Sequence, residues 1–198
     1  MSSDNPDTRT RILKATLELL EAPQGKSVRM TDIARRAGIS RQALYLHFST
    51  RAELLIETSF YLDHIKGVAD RLGPSRTAPT GIERLAAYID AWGNYIPEIY
   101  GAGKALLAMK DTDEAAAKAW NQRMLDMREG CEAAINALKK DKTLTPEYTA
   151  DHATDILWTM LSVRNWEQLT IDCGWSQKKY LKTLKSLANR TFVATTIR

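Results

Sequence analysis

Apolar residues recur every three to four positions along almost the whole chain, and this spacing restricts the fold more than any other feature of the sequence. In residues 8–21, for example, Ile12, Leu13, Leu17 and Leu20 fall on one face of a helix. No segment alternates apolar and polar residues for long, and the turn signals of β-hairpins are absent. The sequence therefore predicts an all-α protein of about nine helices.

Length and composition indicate a soluble globular protein. The 198 residues suffice for one domain or two small ones, and 44% of them are apolar. The N-terminus lacks the apolar core of a signal peptide, and no apolar run is long enough to span a membrane. Cys131 and Cys173 lack metal-binding or redox spacing. We therefore expect a cytoplasmic protein with no membrane partner.

The net charge of +4 is unevenly distributed along the chain. Residues 24–51 carry six Lys or Arg and one Asp, and residues 174–198 carry six and no acid. Residues 52–173, in contrast, have more acids than bases. A basic N-terminal segment followed by an acidic body is typical of a polyanion-binding module joined to a second domain.

Two short helical patterns flank Gly38 in residues 31–48, TDIARRAGISRQALYLHF. Thr31 is a candidate N-cap for the first helix and Ser40 for the second, whereas Gly38 can adopt the left-handed conformation that ends a helix. Two short helices joined by a turn of about four residues form a helix-turn-helix. In this motif the second helix enters the major groove of DNA with its N-terminal residues against the base edges.

The residue types in this segment match the two kinds of contact that duplex DNA offers. Ser40, Arg41 and Gln42 occupy the leading end of the second helix, where Arg can bind guanine and Gln can bind adenine through paired hydrogen bonds. The flanking donors suit phosphates, which fix the register of the protein on DNA. These donors are Arg29, Thr31, Tyr45, His47 and Arg51. We expect Phe48 to lie in the core.

An ordered set of motifs in residues 9–56 resembles the N-terminal domain of the TetR (tetracycline-repressor) family of bacterial regulators. The resemblance is carried by RILKATLELL, GKSVRMTDIARRAGIS, LYLHF and STRAELL. It implies an all-helical homodimer that represses transcription and releases operator DNA when a small molecule binds its C-terminal domain. The chain departs from the family pattern at Gln42 and Ala43, where Gly and Thr are frequent, and at Arg51, where Lys is common.

Domain limits follow from the same motifs and from one loop-like segment. Residues 73–81, GPSRTAPTG, contain two prolines and two glycines and are typical of a linker. We expect a helix-turn-helix DNA-binding domain in residues 1–51 and a helical effector-binding and dimerisation domain in residues 52–198. Within the second domain, residues 52–72 would form a connecting helix.

Large aromatic and Met side chains are concentrated in residues 61–166, which hold four of the five Trp and five of the seven Tyr. As a group such side chains suit an apolar ligand pocket, although any single one of them can instead belong to the core. Pro97 either breaks or kinks the fifth helix. The candidate ligand-binding residues are Tyr61, Tyr88, Trp92, Tyr95, Met109, Trp120, Met124, Trp158 and Asn165.

Two C-terminal segments are candidates for a subunit interface. Residues 153–171 are apolar on more than one face, which indicates a helix buried on two sides, and residues 176–194 are amphipathic. The resemblance implies that these last helices pair with the same helices of a second chain across a two-fold axis. The candidate interface residues are Ile156, Met160, Val163, Leu181, Leu184, Leu187 and Phe192.

Catalytic motifs are missing from the sequence. There is no HExxH, GxSxG or P-loop, and no Cys/His spacing typical of a metal site. We therefore expect neither an enzyme nor a cofactor. The alternative to a ligand-responsive regulator is a DNA-binding protein with no small-molecule ligand that is controlled by a protein partner.

Overall fold

The computed structural model describes residues 6–22 and 28–194, which form eleven α-helices, one π-helical turn and no β-strand. A single antiparallel bridge joins Leu144 to Val193. The all-α prediction is thus confirmed. The helices are α1 Pro6–Leu20, α2 Met30–Ala37, α3 Arg41–His47, α4 Arg51–Ile65, α5 Val68–Arg71, α6 Gly73–Arg76, α7 Gly81–Met109, α8 Glu114–Lys140, α9 Ala150–Met160, α10 Val163–Glu167 and α11 Gln177–Phe192, with the π-turn at Gln168–Asp172 between α10 and α11.

The described residues form two compact units. The first, called the N-terminal unit here, comprises the described residues up to Lys66 together with Ile99–Arg123. The second, the C-terminal unit, comprises Gly67–Glu98 and the described residues from Met124 onward. The domain limits of residues 1–51 and 52–198 remain a prediction, and these compact units divide the chain differently.

Apolar side chains of α1 to α4 form the core of the N-terminal unit. Ile12, Ile33, Leu44 and Leu54 are fully buried, and Phe48 lies among them as expected from the sequence. The same cluster includes residues of the second segment of this unit, such as Ala102 and Ala116. Burial of this many aliphatic side chains supplies the main stabilisation of so small a motif.

The C-terminal unit buries a second set of side chains from α7, α8, α9 and α11. Ile96, Ile135, Leu157 and Phe192 are among those that water does not reach. Gln177 links three helices, since its side-chain amide donates to the Gly93 carbonyl at 2.7 Å and its Oε1 accepts from the Trp166 indole at 2.9 Å. α11 is therefore fixed to α7 and α10 by polar as well as apolar contacts.

The helix limits differ from the sequence prediction at Pro97. Pro97 does not break the fifth helix into two, since α7 continues from Gly81 to Met109 with Pro97 inside it. Pro removes a backbone donor and costs a helix interior about 3 kcal/mol. Ile96 and Ala102, on either side of the proline, are both buried, and this packing offsets the loss.

Other limits are set by single residues. The connecting helix expected at residues 52–72 ends at Ile65, because Gly67 adopts a left-handed conformation with φ 64°. The expected linker at residues 73–81 contains the short helix α6. The helix expected at residues 153–171 is divided at Ser162, whose hydroxyl accepts a hydrogen bond from the backbone N–H of Asn165 and begins α10.

Candidate nucleic-acid interface

Local chemistry at Gly38 and Ser40 builds the turn between α2 and α3. Gly38 has φ 68° and ψ 35°, the left-handed conformation that ends α2, and the Ile39 N–H donates to the Ala34 carbonyl at 3.0 Å. The Ser40 hydroxyl accepts from the Ala43 N–H at 3.0 Å and so caps α3. Both predictions are confirmed. Thr31 is not the N-cap of α2, because that helix already begins at Met30.

The third helix has an inner and an outer face. Leu44 is completely buried on the inner face, next to the core residue Phe48. The outer face carries Arg41, Gln42, Tyr45 and Leu46, all of them exposed. Residues one helical turn apart lie side by side, so these four side chains form one continuous patch.

Arg41 and Tyr45 contact each other within this patch. The Arg41 guanidinium lies 3.4 Å from the Tyr45 hydroxyl, to which it donates a long hydrogen bond, and 5.5 Å from the centre of the Tyr45 ring. Tyr45 thus restricts an exposed Arg side chain that would otherwise sample many rotamers. The predicted base reader and the predicted phosphate donor therefore form a pair.

Arg9 of α1 holds the C-terminal end of α3. Its Nη1 donates to the His47 carbonyl at 3.0 Å, and its guanidinium lies 4.3 Å from the centre of the Phe48 ring. Glu57 completes the arrangement with an ion pair to Arg9 at 3.4 Å. A cation at the carbonyl end of a helix is favourable. Because Arg9 and His47 are far apart in sequence, no local pattern indicates their contact.

Arg51, a candidate phosphate contact, is occupied inside the N-terminal unit. Its Nη1 lies 2.6 Å from both carboxylate oxygens of Asp113, and its Nε donates to the Val28 carbonyl at 2.5 Å. Only 19% of the Arg51 side chain is exposed. A phosphate contact needs an accessible N–H group. The structure therefore places Arg51 in an internal ion pair and not on the outer surface of the motif.

Asp113 has a second role as the N-cap of α8. Its Oδ1 accepts hydrogen bonds from the backbone N–H groups of Ala115 and Ala116 at 3.1 and 3.2 Å. Burial raises the pKa of this carboxyl, but the hydrogen bonds from Arg51 and from the α8 backbone outweigh burial, so its pKa is lowered from the ordinary 3.8.

The start of α4 is held by a capping arrangement. The Thr50 hydroxyl accepts from the Glu53 N–H at 3.1 Å, and the Glu53 carboxylate accepts from the hydroxyl and the N–H of Ser49 at 2.7 and 2.9 Å. The hydrogen bond from the Ser49 side chain is the main reason that the pKa of Glu53 is lowered. These hydrogen bonds order the short segment that joins the end of α3 to the start of α4.

The remaining candidates of the helix-turn-helix lie at the surface. Arg29 and Thr31, at the start of α2, are exposed, and His47 is half-buried at the end of α3. Arg36 of α2 is paired with Glu18 of α1 at 2.7 Å. The structure thus brings Arg41, Gln42 and Tyr45 together on one face of α3 and leaves Arg29 and Thr31 accessible on α2.

Three of the predicted ligand-binding residues are core residues of the C-terminal unit. The Tyr88 hydroxyl donates to the Met127 carbonyl, and the Trp92 indole donates to the Leu161 carbonyl, both at 2.9 Å. Tyr95 contacts Trp92 edge to face, with ring centres 5.8 Å apart. All three side chains are buried and their contacts are those of helix packing.

The other ligand candidates are divided between the two units. Tyr61, Met109 and Trp120 pack against the core of the N-terminal unit. In the C-terminal unit Met124 and Trp158 are half-buried. The Asn165 side chain donates to the Thr159 carbonyl at 2.5 Å and orders the junction between α9 and α10.

A cleft of about 380 Å³ opens in the C-terminal unit between the start of α7 and the end of α8. The Asp141 carboxylate accepts from the Gly81 N–H at 2.5 Å at this point. None of the predicted ligand residues lines the cleft. Its lining residues are Ala78, Pro79, Thr80, Gly81, Arg84, Ala133, Asn136, Ala137, Lys140 and Asp141.

The predicted subunit-interface residues differ in their accessibility. Val163, Leu184 and Phe192 are buried within the C-terminal unit and so form its core, because their side chains already contact neighbouring helices of the same chain. Leu187 is 45% exposed, and Ile156, Met160 and Leu181 are half-buried. These four side chains are the part of the predicted interface that another chain can reach.

No group of three or more His, Cys, Asp or Glu side chains is placed to hold a metal ion within residues 6–22 and 28–194. In the same residues, no helix combines the length and hydropathy that crossing a membrane requires.

A helix-turn-helix with an exposed basic and polar face on its second helix defines a DNA-binding protein. Residues 12–58 match the sequence model of the family described as bacterial regulatory proteins, tetR family. Residues 12–58 are therefore similar in sequence to the DNA-binding domain of that family.

Relatives by sequence match about a quarter of the chain. A nucleoid occlusion factor, SlmA, from Marinomonas sp. (strain MWYL1) is 37% identical over 54 residues, which are 27% of this chain and 27% of that protein. The HTH-type transcriptional regulator SrpR of Pseudomonas putida is also 37% identical over 54 residues, or 25% of its length. The match spans about a quarter of the length of each relative.

The fold of the whole chain is similar to solved structures. A transcriptional regulator from Saccharomonospora viridis, solved in complex with choline, has a TM-score of 0.74 at 18% identity. The alignment covers 96% of this chain and 100% of that chain. At this identity the similarity describes the fold.

Proposed function

We propose that the protein is a homodimeric repressor that binds operator DNA through α3 and releases it when a small, largely apolar or aromatic molecule binds its C-terminal domain. The observation that carries the proposal is the outer face of α3. Arg41, Gln42 and Tyr45 are exposed there, on a helix whose two ends are fixed by the Ser40 cap and by Arg9. A rigid, exposed set of donors is what recognition of base edges requires.

The roles within this face follow from donor geometry. Arg41 would bind guanine and Gln42 would bind adenine, each contact discriminating by about 1–3 kcal/mol against the wrong base. Arg29, Thr31, Tyr45 and His47 would donate to phosphates and set the register. Because Arg51 is engaged by Asp113, it would support the motif from within and not contact DNA.

Dimerisation would use the accessible apolar side chains of α9 and α11. Ile156, Met160, Leu181 and Leu187 remain at least partly exposed in the single chain. A two-fold interface repeats the same patch on both chains, so one substitution changes the interface twice. Leu187→Glu should therefore yield a monomer in analytical ultracentrifugation, whereas Leu125→Glu, which replaces an exposed leucine of α8, should not.

Two observations bear on the effector. The regulator of similar fold from Saccharomonospora viridis was solved with choline, which supports a small-molecule site in a fold of this type. Tyr88 and Trp92, in contrast, use their polar atoms within the core. The ligand contacts would then come from the half-buried candidates Met124 and Trp158.

The second candidate function is a DNA-binding protein that is controlled by a protein partner and has no small-molecule ligand. It is favoured by the same core packing of Tyr88 and Trp92, and by the 37% identity over 54 residues to a nucleoid occlusion factor. A thermal-shift screen with choline and with apolar aromatic compounds separates the two functions. A hit that also releases operator DNA supports the repressor, and a screen without hits supports the alternative.

The DNA-binding part is tested by selecting sites from a random duplex library and measuring affinity at several salt concentrations. Arg29 and Arg41 bring two cations per subunit, and so four per dimer, against the DNA, which predicts a log–log slope of about −4. Arg41→Ala should relax the preference at one base pair of each half-site. The matched control is Lys139→Ala, which removes an exposed charge from the end of α8 and should leave the preference unchanged. A slope near zero, or an unchanged preference in Arg41→Ala, would contradict the proposal.

A further inference from the structure

An exposed leucine on α3 has no role in the fold. Leu46 is 87% exposed, more than any other large apolar side chain in the described part of the chain. The core contribution of this helix comes from Leu44, which is fully buried and packs beside Phe48. Leu46 therefore faces water where a polar residue would keep the helix equally stable.

The position of Leu46 relative to Gln42 suggests a partner. Leu46 follows Gln42 by four residues and lies one helical turn further along the same outer face. One turn advances about 5.4 Å, and successive base pairs of DNA are about 3.4 Å apart. A base contacted by Leu46 would thus lie about one or two base pairs from the base contacted by Gln42.

The major groove offers one apolar group to such a side chain. Guanine, cytosine and adenine present only hydrogen-bonding atoms there, whereas thymine presents its C5-methyl group. Phosphates, the other surface within reach, gain nothing from contact with a leucine.

We propose that Leu46 is a specificity-determining residue whose isobutyl group packs on the C5-methyl of a thymine in the operator. The inference rests on the proposed function, in which α3 enters the major groove. Leu46 would then select T·A over the other base pairs at one position of each half-site, beside the position read by Gln42. The leucine leaves water only in the complex, so its contribution appears in DNA binding and not in folding.

The experiment replaces each thymine of the selected operator in turn by deoxyuridine, which pairs identically but lacks the methyl group. The wild-type protein should lose about three- to tenfold in affinity at one position per half-site, the effect expected for uncovering one or two apolar carbon atoms. Leu46→Ala should bind the thymine operator more weakly by a similar factor and should show no further loss with deoxyuridine at that position.

Two matched variants serve as controls. Leu125→Ala makes the same change at another exposed leucine, on α8 in the C-terminal unit, and should keep the deoxyuridine effect. Arg41→Ala should alter the sequence preference at a different base pair and should also keep the deoxyuridine effect. Thermal unfolding of Leu46→Ala should match that of the wild type, because the side chain is exposed.

Each contrary result has a distinct meaning. If Leu46→Ala retains the full deoxyuridine effect, or if the wild type has no such effect at any thymine, the thymine contact is refuted while DNA binding through α3 stands. If Leu46→Ala binds every duplex, specific or random, more weakly by the same factor, the thymine contact is also refuted. A wild-type chain that binds no duplex DNA at low salt overturns the proposed function and this inference together.

Discussion

The Arg51 guanidinium and the Asp113 carboxylate lie 2.6 Å apart, although the two residues are separated by 62 positions in the chain. Asp113 caps α8, and Arg51 also binds the Val28 carbonyl just before α2. One ion pair thus joins the starts of α4 and α8 to the segment that leads into the helix-turn-helix. Its surroundings are largely shielded from water, which strengthens the pair compared with one on the surface.

Asp113→Ala should lower the free energy of unfolding by about 2–4 kcal/mol. The substitution removes the N-cap of α8 and leaves the Arg51 cation without its carboxylate partner. Urea unfolding followed by circular dichroism measures the loss. The control is Glu114→Ala, which removes the adjacent and exposed carboxylate of an ion pair with Lys118 and should leave the urea midpoint unchanged. Equal midpoints for the two variants would show that the Arg51–Asp113 pair does not support the fold.

Acid should weaken the protein in part through the same carboxylate. Its pKa is lowered in the folded state from 3.8, so its contribution is complete above that value and disappears as the pH falls through the lower, folded pKa. The wild-type urea midpoint should decrease below about pH 4–5. Asp113→Asn, which cannot titrate, should start from a lower midpoint at pH 7 and lose less on acidification. Parallel curves for the two proteins would contradict this assignment.

Tyr88→Phe and Tyr180→Phe remove the same hydroxyl from two buried tyrosines and should change stability in opposite directions. The Tyr88 hydroxyl donates to the Met127 carbonyl, whereas the buried Tyr180 hydroxyl has no hydrogen-bond partner among residues 6–22 and 28–194. Losing a buried hydrogen bond costs about 1 kcal/mol, and removing an unsatisfied buried polar atom relieves a cost of similar size. Urea midpoints should fall for Tyr88→Phe and rise for Tyr180→Phe. A fall of equal size in both would show that the two hydroxyls are equally satisfied.

Features that depend on neighbouring residues could be predicted from the sequence. The Ser40 cap, the left-handed Gly38 and the burial of Phe48 follow from local backbone chemistry and helical periodicity. Local chemistry also indicated the outer face of α3, where Arg41 and Gln42 are exposed. These are interactions within a few residues, and a sequence pattern records them directly.

Contacts between distant residues could not be predicted in this way. Nothing near Arg51 in the sequence indicates Asp113 as its partner, and the residue type alone favoured a phosphate contact. Residue type and helical spacing allow Trp92 in a ligand pocket as well as in the core, and only its hydrogen bond to the distant Leu161 carbonyl distinguishes the two. Pro97 is a helix breaker by local rules, and only the packing of both halves of α7 keeps that helix continuous.

Gly81→Ala should destabilise the C-terminal unit because the start of α7 lies against the backbone of α8. A Cβ at Gly81 would overlap the Leu138 nitrogen and the Ala137 carbonyl group, neither of which can move without distorting α8. Overpacking of this kind costs about 1–3 kcal/mol. Gly103→Ala is the matched control, since a Cβ at this position within α7 meets nothing within 4 Å and Ala favours a helix by up to about 1 kcal/mol. Urea midpoints should therefore fall for Gly81→Ala and stay level or rise for Gly103→Ala. If Gly81→Ala were as stable as Gly103→Ala, the close approach of α7 to α8 would not be a constraint on this residue.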